Sequence, residues 1–346
     1  MVRINKIAAG IGAALTLGYG ASAFAAIPAP GAVADAYLVL SNFTLLAGNG
    51  AAGKSFTPLP LGPGGAVVLN DIQTNADTLA SLGGAPVSQS TSVGLGVPFS
   101  IQSALGAFVA NTTLPIGMLN PTTYAGSATS SFGNALIPLA QPGSICGAGN
   151  IGDCVPVHNQ VNLTNAGATG SAQANQNLIT QFTVRVVATQ SFELSFDADG
   201  FLRAALGQGG SANASYSWTA SVRQLDASTD ILNWTPNGVT PANFPGVINN
   251  GLFLTEGTCV LAGTCREFAD AFAMTGNVGL LSAGDTTVDP ALGAFEAELT
   301  LAPGTYTFTI SHNTNADADI AIPEPGTLAL LGAGLLGIGA RRRKTA

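Results

Sequence analysis

Apolar and polar side chains take turns, residue by residue, along several stretches in the second half of the chain. A period of two commits such stretches to half-buried strands. Phe182, Val184 and Val186 alternate with Thr183 and Arg185, and Phe192, Leu194 and Phe196 with Glu193 and Ser195. Tyr216, Trp218, Ala220 and Val222 alternate with Ser217, Thr219, Ser221 and Arg223. Phe295, Ala297 and Leu299 do the same against Glu296, Glu298 and Thr300; Ala302-Pro303-Gly304 then turns the chain, and Tyr306, Phe308 and Ile310 return as the second arm of a hairpin. Strands of this kind joined by polar turns predict an all-β fold, an antiparallel β-sandwich of jelly-roll-like type. In the first half, residues 36–46 and 66–72 read as strands and residues 70–82 as a short helix. Residues 83–176, rich in Ser, Thr, Gly, Asn and Pro, read as short strands and long loops. A charged fraction of only 9% argues against helical bundles, which need Glu and Lys.

The two ends differ from this body. Arg3 and Lys6 precede an apolar run from Ile7 to Tyr19, and Ala23-Phe24-Ala25 offers the small residues that a signal peptidase accommodates. This is the order of a secretory signal peptide, cut after Ala25. At the other end Ile322-Pro323-Glu324-Pro325-Gly326-Thr327 leads into an apolar segment from Leu328 to Ala340, closed by Arg341, Arg342, Arg343 and Lys344. The prolines stop a helix from extending back into the body, and the basic cluster holds its end of the segment in the cytoplasm. A helix over 328–340 would rise about 20 Å, short of the roughly 30 Å of a bilayer's hydrocarbon core. Such a segment is suited to transient insertion in the inner membrane with snorkelling arginines, not to permanent anchoring.

This tail, from Pro323 to Ala346, resembles the PEP-CTERM sorting domain of exosortase-dependent surface proteins. The resemblance implies a Gram-negative bacterium and cleavage by an exosortase near Pro323, Glu324 and Pro325. It also implies delivery to the cell surface or extracellular matrix, in association with exopolysaccharide, biofilm or floc. The expected organisation is a signal peptide over 1–25, an exported body over 26–320 and a sorting tail over 321–346. The body is read either as one unit or as two β subdomains divided near residue 176.

With both ends set aside, five basic residues (Lys54, Arg185, Arg203, Arg223, Arg266) face eighteen acids, a difference of −13. That argues against nucleic acid, whose phosphates require clustered Lys and Arg. The four cysteines, Cys146, Cys154, Cys259 and Cys265, form an even set in an exported chain and point to disulfides. The local pairs, Cys146 with Cys154 and Cys259 with Cys265, are favoured. Their spacings match no zinc motif, and no cofactor is expected.

Several motifs imitate chemistry. Gly48-Asn49-Gly50-Ala51-Ala52-Gly53-Lys54-Ser55 has the letters of a phosphate-binding loop, but Pro58 and Pro60 prevent the helix that such a loop needs. Gly332 to Gly337 spells a dinucleotide fingerprint inside the sorting segment, where no strand precedes it. Asp197 and Asp199 resemble the start of a calcium loop, yet Gln208 stands at its twelfth position. An Asp/Gly turn closing a strand is preferred to an irregular Ca²⁺ site there, and Asp317 with Asp319 is a second such pair. His158 and His312 read as surface residues, and no Gly-x-Ser-x-Gly elbow is present. The leading expectation is therefore a non-enzymatic matrix protein contacting exopolysaccharide, with Trp218, Trp234 and Tyr216 as candidate stacking aromatics, although Trp218 and Tyr216 lie on an alternating face and a core position is preferred for them. A secreted hydrolase acting on matrix glycans is the alternative, and a subunit assembling through sheet edges is a third reading.

Overall fold

In the computed structural model, the described residues are 31–48, 57–58, 67–94, 99–106, 108, 124–131, 154–227, 229–238, 252–253, 257–259, 265–290 and 292–321. The expected signal peptide, the tail from Ile322, the phosphate-loop look-alike and Cys146 lie outside them. Among the described residues every regular element is a strand, and every pairing is antiparallel.

Sheet A contains β1 (Ala32–Gly48), β2 (Thr57–Pro58), β5 (Phe99–Gly106), β6 (Tyr124–Ser131), β7 (Cys154–Leu163), β9 (Gln190–Leu206), β14 (Cys265–Asp270), β16 (Gly284–Val288) and β17 (Gly293–Leu301). Sheet B contains β3 (Val67–Leu82), β4 (Ala85–Gly94), β8 (Thr169–Val186), β10 (Gly210–Gln224), β11 (Thr229–Trp234), β12 (Leu252–Phe253), β13 (Gly257–Cys259), β15 (Thr275–Leu280) and β18 (Gly304–Ile320). Sheet A runs β14-β17-β9-β1-β7-β6-β5, and sheet B runs β12-β13-β11-β10-β18-β8-β3-β4.

The alternation read in the second half corresponds to real strands: along β10 and β18 every second side chain is buried. The jelly-roll expectation does not fit. A jelly roll has eight strands, whereas each sheet here has nine, with the first strand in one sheet and the last in the other. The short helix expected over 70–82 is instead the far part of β3. There Thr74, Ala76, Thr78 and Ala80 point inward at a period of two, and tertiary burial overrides local propensity. Residue 176 lies within β8, and both sheets draw strands from both halves of the chain.

Two kinds of interior join the sheets. One is aromatic. Phe196 of sheet A lies 4.5 Å from Trp218 of sheet B and stacks on Phe295 at 4.9 Å, while Trp218 meets Trp234 edge-on at 5.4 Å. Nearby, Phe182 stacks on Phe308 at 5.1 Å, and Phe192 of the opposite sheet tilts against Phe308. Each such pair adds about 0.5–1.5 kcal/mol beyond its buried area.

The other interior is a seam of small polar side chains. The hydroxyls of Thr78 and Ser103 bond across the sheets at 2.9 Å, Ser127 donates to the Gln173 carbonyl at 2.9 Å, and Asn159 donates to the Thr314 carbonyl at 2.7 Å. His312 sits on this inner face, fully buried, and burial pushes its pKa down to about 3.

Candidate functional site

Across the outer face of sheet A a row of polar side chains runs over five strands, through Tyr124, Gln160 with His158, Asp35, Arg203 and Asp285. The register places Asp35 opposite Gln160 on one side and opposite Arg203 on the other. The Tyr124 hydroxyl donates to Gln160 Oε1 at 2.6 Å, and Gln160 Nε2 donates to Asp35 Oδ2 at 2.8 Å. His158 Nε2 donates to Asp35 Oδ1 at 2.9 Å, which fixes that nitrogen as the protonated one, because a carboxylate only accepts. Arg203 grips Asp285 through Nη2 at 2.8 Å and Nε at 3.2 Å, the two-pronged geometry a guanidinium forms best.

Asp35 is 0% exposed although it faces away from the other sheet. His158 and Gln160 bond its two carboxylate oxygens. Phe108 lies over β6, with its ring 5.8 Å from His158 and 6.2 Å from Tyr124. Gly126 makes that approach feasible, because a Cβ there would collide with the Phe108 ring. The arrangement orients an imidazole against a carboxylate, as nucleophilic enzymes do. However, His158 Nδ1 is buried with no hydrogen-bond partner, so among the described residues the dyad lacks a nucleophile. With Gln160 and Tyr124 it ties β1, β7 and β6 together, while Arg203 and Asp285 tie β9 to β16.

The outer face of sheet B is open and largely uncharged. Ser215, Ser217, Thr219 and Ser221 of β10 lie opposite Asn315, Asn313, Ser311 and Thr309 of β18, whose far side pairs with β8. Where β8, β18, β10 and β11 meet, Gln181, Thr307, Thr309, Ser221, Arg223 and Asp230 line a groove of about 370 Å³. Its one ion pair, Arg223 to Asp230, is loose at 3.8 Å and solvent-exposed. Such a surface presents hydroxyl, amide, guanidinium and carboxylate groups beside the exposed Leu225.

The residues singled out from sequence fare unevenly. Trp218, Trp234 and Tyr216 are buried in the shared core and present no face for stacking. His158 and His312 are not surface residues: one is held by Asp35, and the other is enclosed. Asp197 and Asp199 do not close a strand, since β9 continues to Leu206 with both on its outer face. Burial and then Asp289 raise the Asp199 pKa to about 6. Among the described residues no three His, Cys, Asp or Glu side chains converge as metal ligands. Asp317 accepts from Asn315 within β18. No described cysteine is free, and Cys265 is buried at the start of β14. Sequence reasoning missed Asp35 and Arg203, although each is a lone charge in an apolar run, Ala-Val-Ala-Asp-Ala-Tyr-Leu and Phe-Leu-Arg-Ala-Ala-Leu.

The described body is thus an all-β, antiparallel scaffold with a covered polar row on one face and an open polar face on the other. Residues 321–344 match the PEP-CTERM protein-sorting motif, so the chain carries the signal for exosortase-dependent sorting of an extracellular protein. The motif implies export to the surface or exterior of a Gram-negative cell. No curated protein and no solved structure matches the chain.

Proposed function

We propose that the chain is a non-enzymatic β-sandwich of the extracellular matrix, biofilm or floc, holding exopolysaccharide on the outer face of sheet B. The sorting motif at residues 321–344 carries the reading, because it fixes the destination. The open rows of Ser, Thr, Asn and Gln support the ligand class, since neutral sugar hydroxyls are matched by neutral donors and acceptors. Signal peptidase removes residues 1–25. Residues 328–340 pause in the inner membrane, and exosortase cuts near Pro323-Glu324-Pro325. Two local disulfides, Cys146 with Cys154 and Cys259 with Cys265, complete the mature body; non-reducing peptide mapping distinguishes them from the crossed pairings.

Co-sedimentation of the mature protein with the producing cell's own polysaccharide tests the ligand, and loss of retention in a Gln181→Ala/Thr309→Ala variant assigns it to the groove. Absence of retention by the unmodified protein defeats the reading. The Asp35–His158 pair favours one second reading, a hydrolase acting on matrix glycans. Turnover in a screen of glycans and esters, abolished by His158→Gln, would establish it instead.

A further inference from the structure

We infer that the β4 edge of sheet B is a homotypic contact, at which β4 of one molecule pairs antiparallel with β4 of a second copy. β4 ends the strand order of sheet B, and among the described residues it pairs with β3 alone. Its register with β3 runs unbroken from Gln73 opposite Gly94 to Leu82 opposite Ala85, so no bulge twists the edge away. The outer face of the strand is open, and its inner face is only partly covered, with Val87 packed against the core. Ser88, Ser90 and Ser92 on the outer face are exposed; on the inner face Ala85 and Gln89 are exposed, and Val87, Thr91 and Val93 are half-buried. On the inner face Gln89 Oε1 accepts the Gln102 N–H of β5, in the other sheet, at 3.2 Å.

Proteins blunt such edges with charge, proline or bulges, and strands on the charged side of sheet A follow that rule, whereas β5 at its other end is as uncharged as β4. β14 contains Arg266, Glu267 and Asp270, and β16 contains Asp285. β4 carries no charge and has a proline only at its second position. Moreover, the sequence holds no Asp, Glu, Lys or Arg between Asp77 and Asp153, the segment that supplies β4, β5 and β6. In a chain of net charge −8, this is the margin where two copies meet without like-charge repulsion. The hydroxyl and amide side chains of the strand are also complementary to themselves. A twofold centred near Ser90 sets Ser88 of one copy opposite Ser92 of the other. The contact lies apart from the glycan groove, because it uses none of the residues that line it.

Light scattering on the full chain in detergent tests this, with two double variants, Ser88→Lys/Ser92→Lys and Ser88→Glu/Ser92→Glu. The expected result is a dimer or larger species for the unmodified chain, monomer for each double variant alone, and restored dimer when the two variants are mixed. Melting temperatures matching the unmodified chain show that the fold is retained; should the lysine variant fail to fold, Ser88→Glu/Ser92→Glu alone decides. A monomeric unmodified chain, or a dimer that survives in both variants, overturns the inference. Polysaccharide retention by the monomeric variants separates failure of this contact from failure of the glycan reading.

Discussion

Sheet A and sheet B differ most on the faces they turn away from each other. Sheet A sets charge there, with Glu193, Asp197 and Asp199 on β9, Glu296 and Glu298 on β17, and the row from Tyr124 to Asp285. Where that row crosses β1, Asp35 is fully buried. Sheet B leaves its outer face open, and β10 contains no acid from Gly210 to Gln224. Sealed charges must satisfy one another, so substitutions in the row act on stability. Open neutral groups already have water as a partner, so substitutions there spare stability and act on whatever replaces that water.

The sharpest test of this division is Asp35→Ala. It leaves His158 Nε2 and Gln160 Nε2 without their acceptor in a buried site, and denaturant unfolding should show a loss of about 3–5 kcal/mol. An unchanged midpoint would mean that the row bears no structural load. Next in size is acid sensitivity. The buried His312 titrates near 3 in the fold, against 6.5 for the free side chain. The unfolded chain therefore binds more protons between those values, and stability is lost as pH falls through that window. His312→Leu should flatten this limb of the melting-temperature profile.

Asp199 has the opposite sign. Its pKa is raised from 3.8 to about 6, so its contribution favours the fold at low pH and is lost as pH rises through 6. Asp199→Asn should raise the melting temperature at pH 8 and leave it unchanged at pH 4. Smallest are Thr307→Ala and Thr309→Ala on sheet B, each expected to shift stability by no more than about 0.5 kcal/mol while reducing polysaccharide retention in the sedimentation assay.

The strands with large alternating side chains were legible in the sequence, because Phe, Trp and Val at every second position leave few alternatives. The start of β3 was legible too, but its far part was not, since its inward residues Thr74, Ala76, Thr78 and Ala80 conceal the period by their polarity and size. The continuation of β9 past Asp197 and Asp199 was also hidden. Asp-x-Asp-Gly is a turn signature in isolation, and only pairing of both edges with β1 and β17 keeps it extended. The covered row depended on partners far apart in the sequence, as with Asp35 and His158, and on Phe108 arriving above Gly126. Local pattern carries no information about such meetings.

β1 is wedged between β7 and β9, with Ala32 opposite Leu163 on one side and Leu206 on the other. The opening strand therefore waits for partners made much later in synthesis, and loop closures of that span slow folding. The pairing of β1 on both of its edges is complete only when residue 206 is available. Once closed, the same topology places the first and last strands in the middle of their sheets, so trimming at either terminus does not begin to unzip the body.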